Sequence, residues 1–277
     1  MSKKQEIVLG FYWFTCFKPA MLLLFFWNTF SVFSAAPIYV KTIDRKPLQL
    51  YVNTSNDILL LQKGMLERYT ADGIFFQNYG SIYINEHTEI VSVNSFKTIL
   101  FSPDYGKIIQ LDNRLKEIDI IDVNNLGTYL VSCVGSSYDN NFLWLYDAAS
   151  QRLVKLDKNH TPIFESNTLS LLTQKILQPI QLIESGVLLY LLDEKNGIFV
   201  FDNQGNFIKN IPIESLKNIQ IIDSKIYYAK GNEVYSYDQL TFLETRYTAT
   251  PNLQQIHIGK AIVCGTNKDG FVEIWKF

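Results

Sequence analysis

The chain has 277 residues, of which 47% are hydrophobic, 14% aromatic and only 19% charged. Its 25 basic and 27 acidic residues leave a formal net charge of −2. This balance excludes a disordered polyelectrolyte, which has few apolar residues and a large net charge. It also excludes a general nucleic-acid binder, which needs a basic excess or a basic stripe.

Residues 1–36 differ in composition from everything after them. Lys3 and Lys4 are followed by an apolar stretch from Ile7 to Phe33, densest at Met21–Trp27, and then by Ser34-Ala35-Ala36. A charged start, an apolar core and a small-residue exit predict a secretory signal peptide cut after Ala36. The alternative is an uncleaved N-terminal membrane anchor. The stretch is long enough to cross a bilayer, although Lys18-Pro19 near its middle would be costly there. Both readings place residues 37–277 outside the cytoplasm, in the periplasm or outer cell envelope, with membrane contact only if the leader is retained. Removing 1–36 takes away three lysines and Glu6, leaving 22 basic and 26 acidic residues. It also removes Cys16, a poor lipoprotein acceptor because apolar residues continue beyond it. Cys133 and Cys264 remain in apolar runs and read as small buried hydrophobes, not as a disulfide framework.

From Ile38 onward the chain is a succession of short runs rich in Ile, Leu, Val, Tyr and Phe, separated by Asn, Asp, Gly, Ser and Lys. This pattern predicts an all-β protein. The best helical candidate is a short piece, Ser170 to Leu177. The runs also repeat. The segments 64–70, 107–112, 152–157, 197–202, 233–238 and 270–276 share one form, an alternating strand with an aromatic or apolar end. In four of them an acid follows: Asp112, Asp157, Asp202 and Asp238. Anchored at 70, 112, 157, 202, 238 and 276, the spacings are 42, 45, 45, 36 and 38. A second apolar strand precedes each anchor strand across a polar turn, and a third strand follows it. A fourth, carrying a second repeat, lies ahead of the pair: Gln49, Gln181, Gln220 and Gln255 occupy equivalent places.

Four strands per unit and six units at this period resemble a six-bladed β-propeller of the broad quinoprotein-like or WD-repeat-like kind. The resemblance is architectural, covers roughly residues 38–277, and excludes WD repeats proper, since their Trp-Asp and Gly-His signatures are absent. The rival fold is a pair of β-sandwiches. The last unit ends at Phe277 without a fourth strand, and Ile38–Ile43 is a spare strand. Pairing the two would close the ring and remove an exposed edge.

The four anchor acids recur at strand ends, where Asp bonds the amides of the following turn, so they read as folding devices. The four glutamines read as channel lining. His257, Glu184 and Asp223 break the repeat near the inner-strand ends. Converging at one channel mouth, they could hold a cation or perform acid–base work, as in six-bladed lactone-opening enzymes, with Asn53 and Asn94 extending the set. Ligand spacing of a recognised metal motif is absent, as are phosphate-binding loops, nucleophile elbows and calcium loops. No cofactor is expected. Asn53-Thr54-Ser55 and Asn159-His160-Thr161 match the glycosylation acceptor pattern. The connection 161–179 is more apolar than a solvated loop requires, and Leu171 and Leu172 are its candidate partner-binding residues. The sequence thus points to an exported, non-enzymatic protein-interaction module or scaffold of the bacterial cell envelope, with a metal-dependent hydrolase or lactonase as the alternative.

Overall fold

The structure, a computed structural model, describes residues 37–277 except 54, 94–95, 128, 138–140 and 250–251. The leader and Asn94 therefore lie outside the described residues. The chain begins with β1 (Ile38–Ile43) and then repeats one unit, a four-stranded antiparallel sheet. Blade one is β2 (Gln49–Val52), β3 (Ile58–Gln62), β4 (Met65–Tyr69) and β5 (Phe75–Gly80). Blade two is β6 (Glu89–Val93), β7 (Lys97–Ser102), β8 (Lys107–Asp112) and β9 (Glu117–Asp122). Blade three is β10 (Val131–Ser136), β11 (Leu143–Asp147), β12 (Arg152–Leu156) and β13 (Pro162–Glu165). A short helix, α1 (Leu169–Thr173), precedes blade four, which is β14 (Pro179–Ser185), β15 (Leu188–Asp193), β16 (Gly197–Asp202) and β17 (Phe207–Ile211). Blade five is β18 (Gln220–Ile222), β19 (Lys225–Lys230), β20 (Glu233–Asp238) and β21 (Glu244–Ala249). Blade six takes β22 (Gln254–Ile258), β23 (Ile262–Thr266) and β24 (Val272–Lys276), and its fourth strand is β1, antiparallel to β24. The fold is a six-bladed β-propeller, and the six anchor segments of the sequence are the six third strands.

The middle strands are apolar on both faces because each blade is buried on both sides. Along β3, Ile58 and Leu60 join the core shared with blade six, while Leu59 and Leu61 join the core shared with blade two. Along β11, Leu143 and Leu145 face blade two, and Trp144 and Tyr146 face blade four. Along β15, Leu189 and Leu191 face blade three, and Tyr190 and Leu192 face blade five. The last interface, between blades five and six, gathers Val234, Leu253, Ile256, Ile258 and Val263. The core is thus a ring of apolar wedges between blades, not one central mass. Cys133 and Cys264 are buried free thiols within it.

The recurrent acids have one local job. Asp112 Oδ1 accepts from the amides of Arg114 and Lys116, Asp157 Oδ1 from Asn159 and Thr161, and Asp202 Oδ1 from Gln204 and Asn206. Asp238 holds the amides of Leu240 and Thr241 in a longer turn. In the three shorter turns the third residue after the acid takes a left-handed conformation: Leu115, His160 and Gly205, with φ of 52°, 61° and 74°.

A second regularity follows each of these turns. The pairing of third and fourth strands slips by one residue beside the turn in blades one to four. The extra residue is Phe76, Ile118, Ile163 or Ile208, and each is 50–55% exposed. Such bulges raise local twist, which the splayed outer strand of a propeller blade needs. They also leave one large apolar side chain per blade on the outer wall.

Because each blade runs from its inner strand outward, the two faces of the ring differ. Inner strands end on what we call the upper face, which carries the first-to-second and third-to-fourth turns. The lower face carries the second-to-third turns and the connections between blades, α1 among them.

Removing the Asp202 carboxylate should lower stability by about 1–2 kcal/mol, since two backbone amides lose a charged acceptor. Asp202→Ala measured by denaturant unfolding, with Asp202→Asn recovering part of the loss, checks this.

Candidate functional site

The central channel is the candidate site, and the inner strands β2, β6, β10, β14, β18 and β22 line it. Their glutamines do more than face it. Gln49 Oε1 accepts from the amide of Ile90 at 2.6 Å, joining blades one and two. Gln181 Oε1 accepts from Ile219 at 2.8 Å, joining four and five. Gln220 is bidentate on Ile258, accepting from its amide at 2.7 Å and donating to its carbonyl at 2.8 Å. Gln255 Nε2 reaches the carbonyl of Leu48 at 3.4 Å, from blade six back to blade one. An inner strand has one edge without a partner in its own sheet, and the amide side chains satisfy part of that edge from the neighbouring blade. Between blades three and four no glutamine is needed. There β10 and β14 approach so closely that a Cβ on Gly135 would lie 2.6 Å from the Leu182 carbonyl oxygen.

Two hollows lie along the channel, and Tyr51 and Val91 line both. The upper chamber, about 90 Å³, is lined by Tyr51, Asn53, Ser136, Glu184, Gln220 and Ile222 among others. The lower chamber, about 150 Å³, is lined by Gln49, Tyr51, Glu89, Cys133, Gln181 and His257 among others. At roughly 30 Å³ per water each holds a few waters, well below the roughly 300–1,000 Å³ of small-molecule sites.

The three repeat-breaking residues do not meet. Glu184 lines the upper chamber, where its carboxylate accepts from Trp144 Nε1 and lies 3.9 Å from Lys155 Nζ, both on blade three. His257 lines the lower chamber, only 3% exposed, with its ring 5.4 Å from that of Tyr51 and its Nδ1 without a hydrogen-bond partner among the described residues. Burial lowers its pKa to about 4, so the ring is neutral at physiological pH. Asp223 lies exposed in the β18–β19 turn with φ of 47°. Asn53 is spent locally, its Oδ1 accepting from the amides of Ser55 and Asp57. At 2% exposure it offers no surface for glycosylation. Among the described residues no three His, Cys, Asp or Glu side chains are grouped to hold a metal ion. His87 and His160 lie away from the channel lining, near Asp104 and Asp119 at 2.7 and 3.1 Å.

Glu89 is the residue that the sequence pattern missed. It opens β6 in the place Gln49 holds in β2, lines the lower chamber, and has its pKa raised to about 7 by burial. An acid where a sister strand carries its isosteric amide is the signal that could have found it. Leu171 and Leu172 separate in α1: Leu171 is 79% exposed, whereas Leu172 packs on the core between blades three and four.

No protein-family model matches the chain, and no curated protein matches it. Solved structures do. Virginiamycin B lyase from Staphylococcus aureus superposes with a TM-score of 0.54 at 11% identity, over 82% of this chain and 79% of that one. A chain of the mitotic checkpoint complex gives 0.54 at 10% identity over 99% of both. BBS1N, in a complex with ARL6DN, gives 0.50 at 12% identity over 86% and 77%. At such identities the likeness concerns the fold alone.

Two outcomes follow. Gln220→Ala should lower stability by about 2 kcal/mol, because it strands two buried backbone groups, and Gln255→Ala by less; thermal unfolding of both variants measures the difference. Glu89 and His257 act on stability in opposite senses. An acid raised from 4.5 to about 7 makes the folded state bind more protons, so its contribution falls as pH rises through that window. A histidine lowered from 6.5 to about 4 leaves the unfolded state with more protons, so its contribution is lost as pH falls through that range. The stability difference between Glu89→Gln and the native chain should therefore grow in favour of the variant from about pH 4.5 to 7 and level off above; unfolding titrations across that range check it.

Proposed function

We propose that this chain is an exported cell-envelope scaffold that binds a protein partner through the lower face of its ring. The carrying observation is the channel: its two hollows measure about 90 and 150 Å³, and Glu184 lines the first while Glu89 and His257 line the second. Neither chamber reaches the size of a small-molecule site, whereas a wider hollow of about 640 Å³, lined by Glu214, Lys217, Lys230 and Gln254 among others, opens on the lower face. The recognition surface then lies on the rim and turns, the usual place for contacts on a rigid scaffold.

On the lower face the connection between blades three and four is the longest that the structure describes without a gap. Leu169 seats α1 in the core, and this buried foot turns Leu171 outward. Ile176, 70% exposed, follows in the same connection. Buried side chains hold this segment in place, so its exposed leucine is presented without a large ordering cost. Rings of this fold occur both in a lyase and in protein assemblies, so fold likeness alone does not choose. Residues 1–36 supply the route out of the cytoplasm.

The test uses a photo-reactive amino acid at Leu171 in living cells. A discrete cross-linked adduct in the envelope fraction, absent when the probe sits at Leu240 on the upper face, is the expected result. Leu171→Ser should leave unfolding within about 0.5 kcal/mol of the native chain and weaken retention of that adduct partner. Leu172→Ser should instead destabilise the ring, because it opens a packed site. Adducts of equal yield from both positions, or none from either, would contradict the assignment.

A further inference from the structure

One acid of the channel has no counter-ion. The amide oxygens of the lower chamber are spent, Gln49 Oε1 on the Ile90 amide and Gln181 Oε1 on the Ile219 amide. Glu89 is different. Burial is the only influence that shifts its pKa, so among the described residues no cation and no hydrogen-bond donor reaches its carboxyl. Glu184, the acid of the upper chamber, has both kinds of partner in Lys155 and Trp144.

The rest of the lower wall supplies no free positive charge. Lys217 lines it, but its Nζ lies 2.6 Å from Glu194 Oε1, and Glu194 is not part of the wall. His257 is neutral because burial lowers its pKa to about 4, and its Nδ1 has no hydrogen-bond partner among the described residues. Burial, and after it the charge of Glu89, pushes the Cys133 thiol up, so it stays protonated. The Tyr51 ring stands 5.4 Å from the His257 ring.

A buried carboxyl with nothing opposite it keeps its proton or takes a cation from outside. The space and the donors decide which cation. At roughly 30 Å³ per water, a chamber of about 150 Å³ has room for about five waters, or for an ammonium group with a short alkyl chain. A divalent ion asks for more ligands than this: among the described residues no three His, Cys, Asp or Glu side chains are grouped to hold one. An ammonium brings three N–H donors, which suit two carboxylate oxygens and a neutral imidazole, and its charge is attracted to an aromatic face such as that of Tyr51. Lys217 and Asn218 line both this chamber and the wider hollow of about 640 Å³, so the approach is from the lower face.

We propose that the lower chamber is a binding site for the ammonium group of a primary alkylamine, with Glu89 as its counter-ion and His257 and Tyr51 beside it. The site does not depend on the scaffold reading above, because a free alkylamine and the lysine side chain of a protein partner carry the same group.

Calorimetric titration of the full chain with n-butylammonium chloride tests this, with potassium chloride and n-butanol as controls. Butylammonium should bind and neither control should. Glu89, raised to about 7, must lose its proton to pair with the amine, so affinity should rise about tenfold between about pH 6 and 8 and level off above. Glu89→Gln keeps the shape and matches Gln49 of the sister strand. It should weaken binding about tenfold or more and remove the pH dependence, with thermal unfolding showing the ring intact. Absence of butylammonium binding, an equal response to either control, or unchanged binding in Glu89→Gln overturns the proposal. Nα-acetyl-lysine amide separates the two sources. Binding as tight as that of butylammonium supports entry of a protein side chain, and its exclusion while butylammonium still binds supports a site for free amines.

Discussion

A four-stranded sheet that is apolar on both faces cannot stand alone in water. Everything else in this molecule depends on that constraint. Ile58 and Leu60 on one side of β3, and Leu59 and Leu61 on the other, are all fully buried, and each pair needs a neighbouring sheet to cover it. The same holds for β7, β11, β15 and β23, whose central residues are buried on both sides. Repeating the need in one direction bends the array into a circle, and the circle must then close or leave two apolar faces wet. The last sheet closes it by taking its outer strand from the opposite end of the chain.

Inside the circle the constraint is polar. Inner strands bring unpaired backbone groups toward the channel, and the molecule satisfies them with amide side chains from the next blade, as Gln49, Gln181 and Gln220 do. At Gly135 the inner strands β10 and β14 come close enough that a side chain there would meet the Leu182 carbonyl. The chambers that remain are small because the centre of the ring holds blades together. Outside the chambers the ring presents its two faces and its rim. They differ in structure: the upper face carries the turns held by the anchor acids, while the lower face presents the connection that carries α1.

Much of this was legible in the sequence, for a physical reason. Third strands are constrained on both faces and at both ends, so their apolar alternation and terminal acid recur closely enough to count the blades. The anchor acids were read correctly as turn devices, because a residue used identically in several blades answers a demand common to all of them. The glutamines were read only halfway. Spacing placed them on inner strands, but a bond from Gln220 to Ile258 in the next blade is a tertiary fact that one strand's pattern does not contain. Glu184 stood out in the sequence, but its partners did not, for the same reason: Trp144 and Lys155 come from another blade. Leu171 and Leu172 looked alike in sequence, and only the turn of a short helix separates the exposed one from the packed one. The bulges escaped notice because Phe76, Ile118, Ile163 and Ile208 look like ordinary strand residues until register is known.

Closure is the claim on which the whole account turns, and amide hydrogen exchange of the chain measures it most directly. If β1 completes the sixth sheet and the ring unfolds as one body, the hydrogen-bonded amides of residues 38–43 will be protected like those of 272–276, opening only with global unfolding. If 38–43 exchange at the rate of a free tail while the other blades stay protected, the ring does not depend on its first strand, and the account is contradicted.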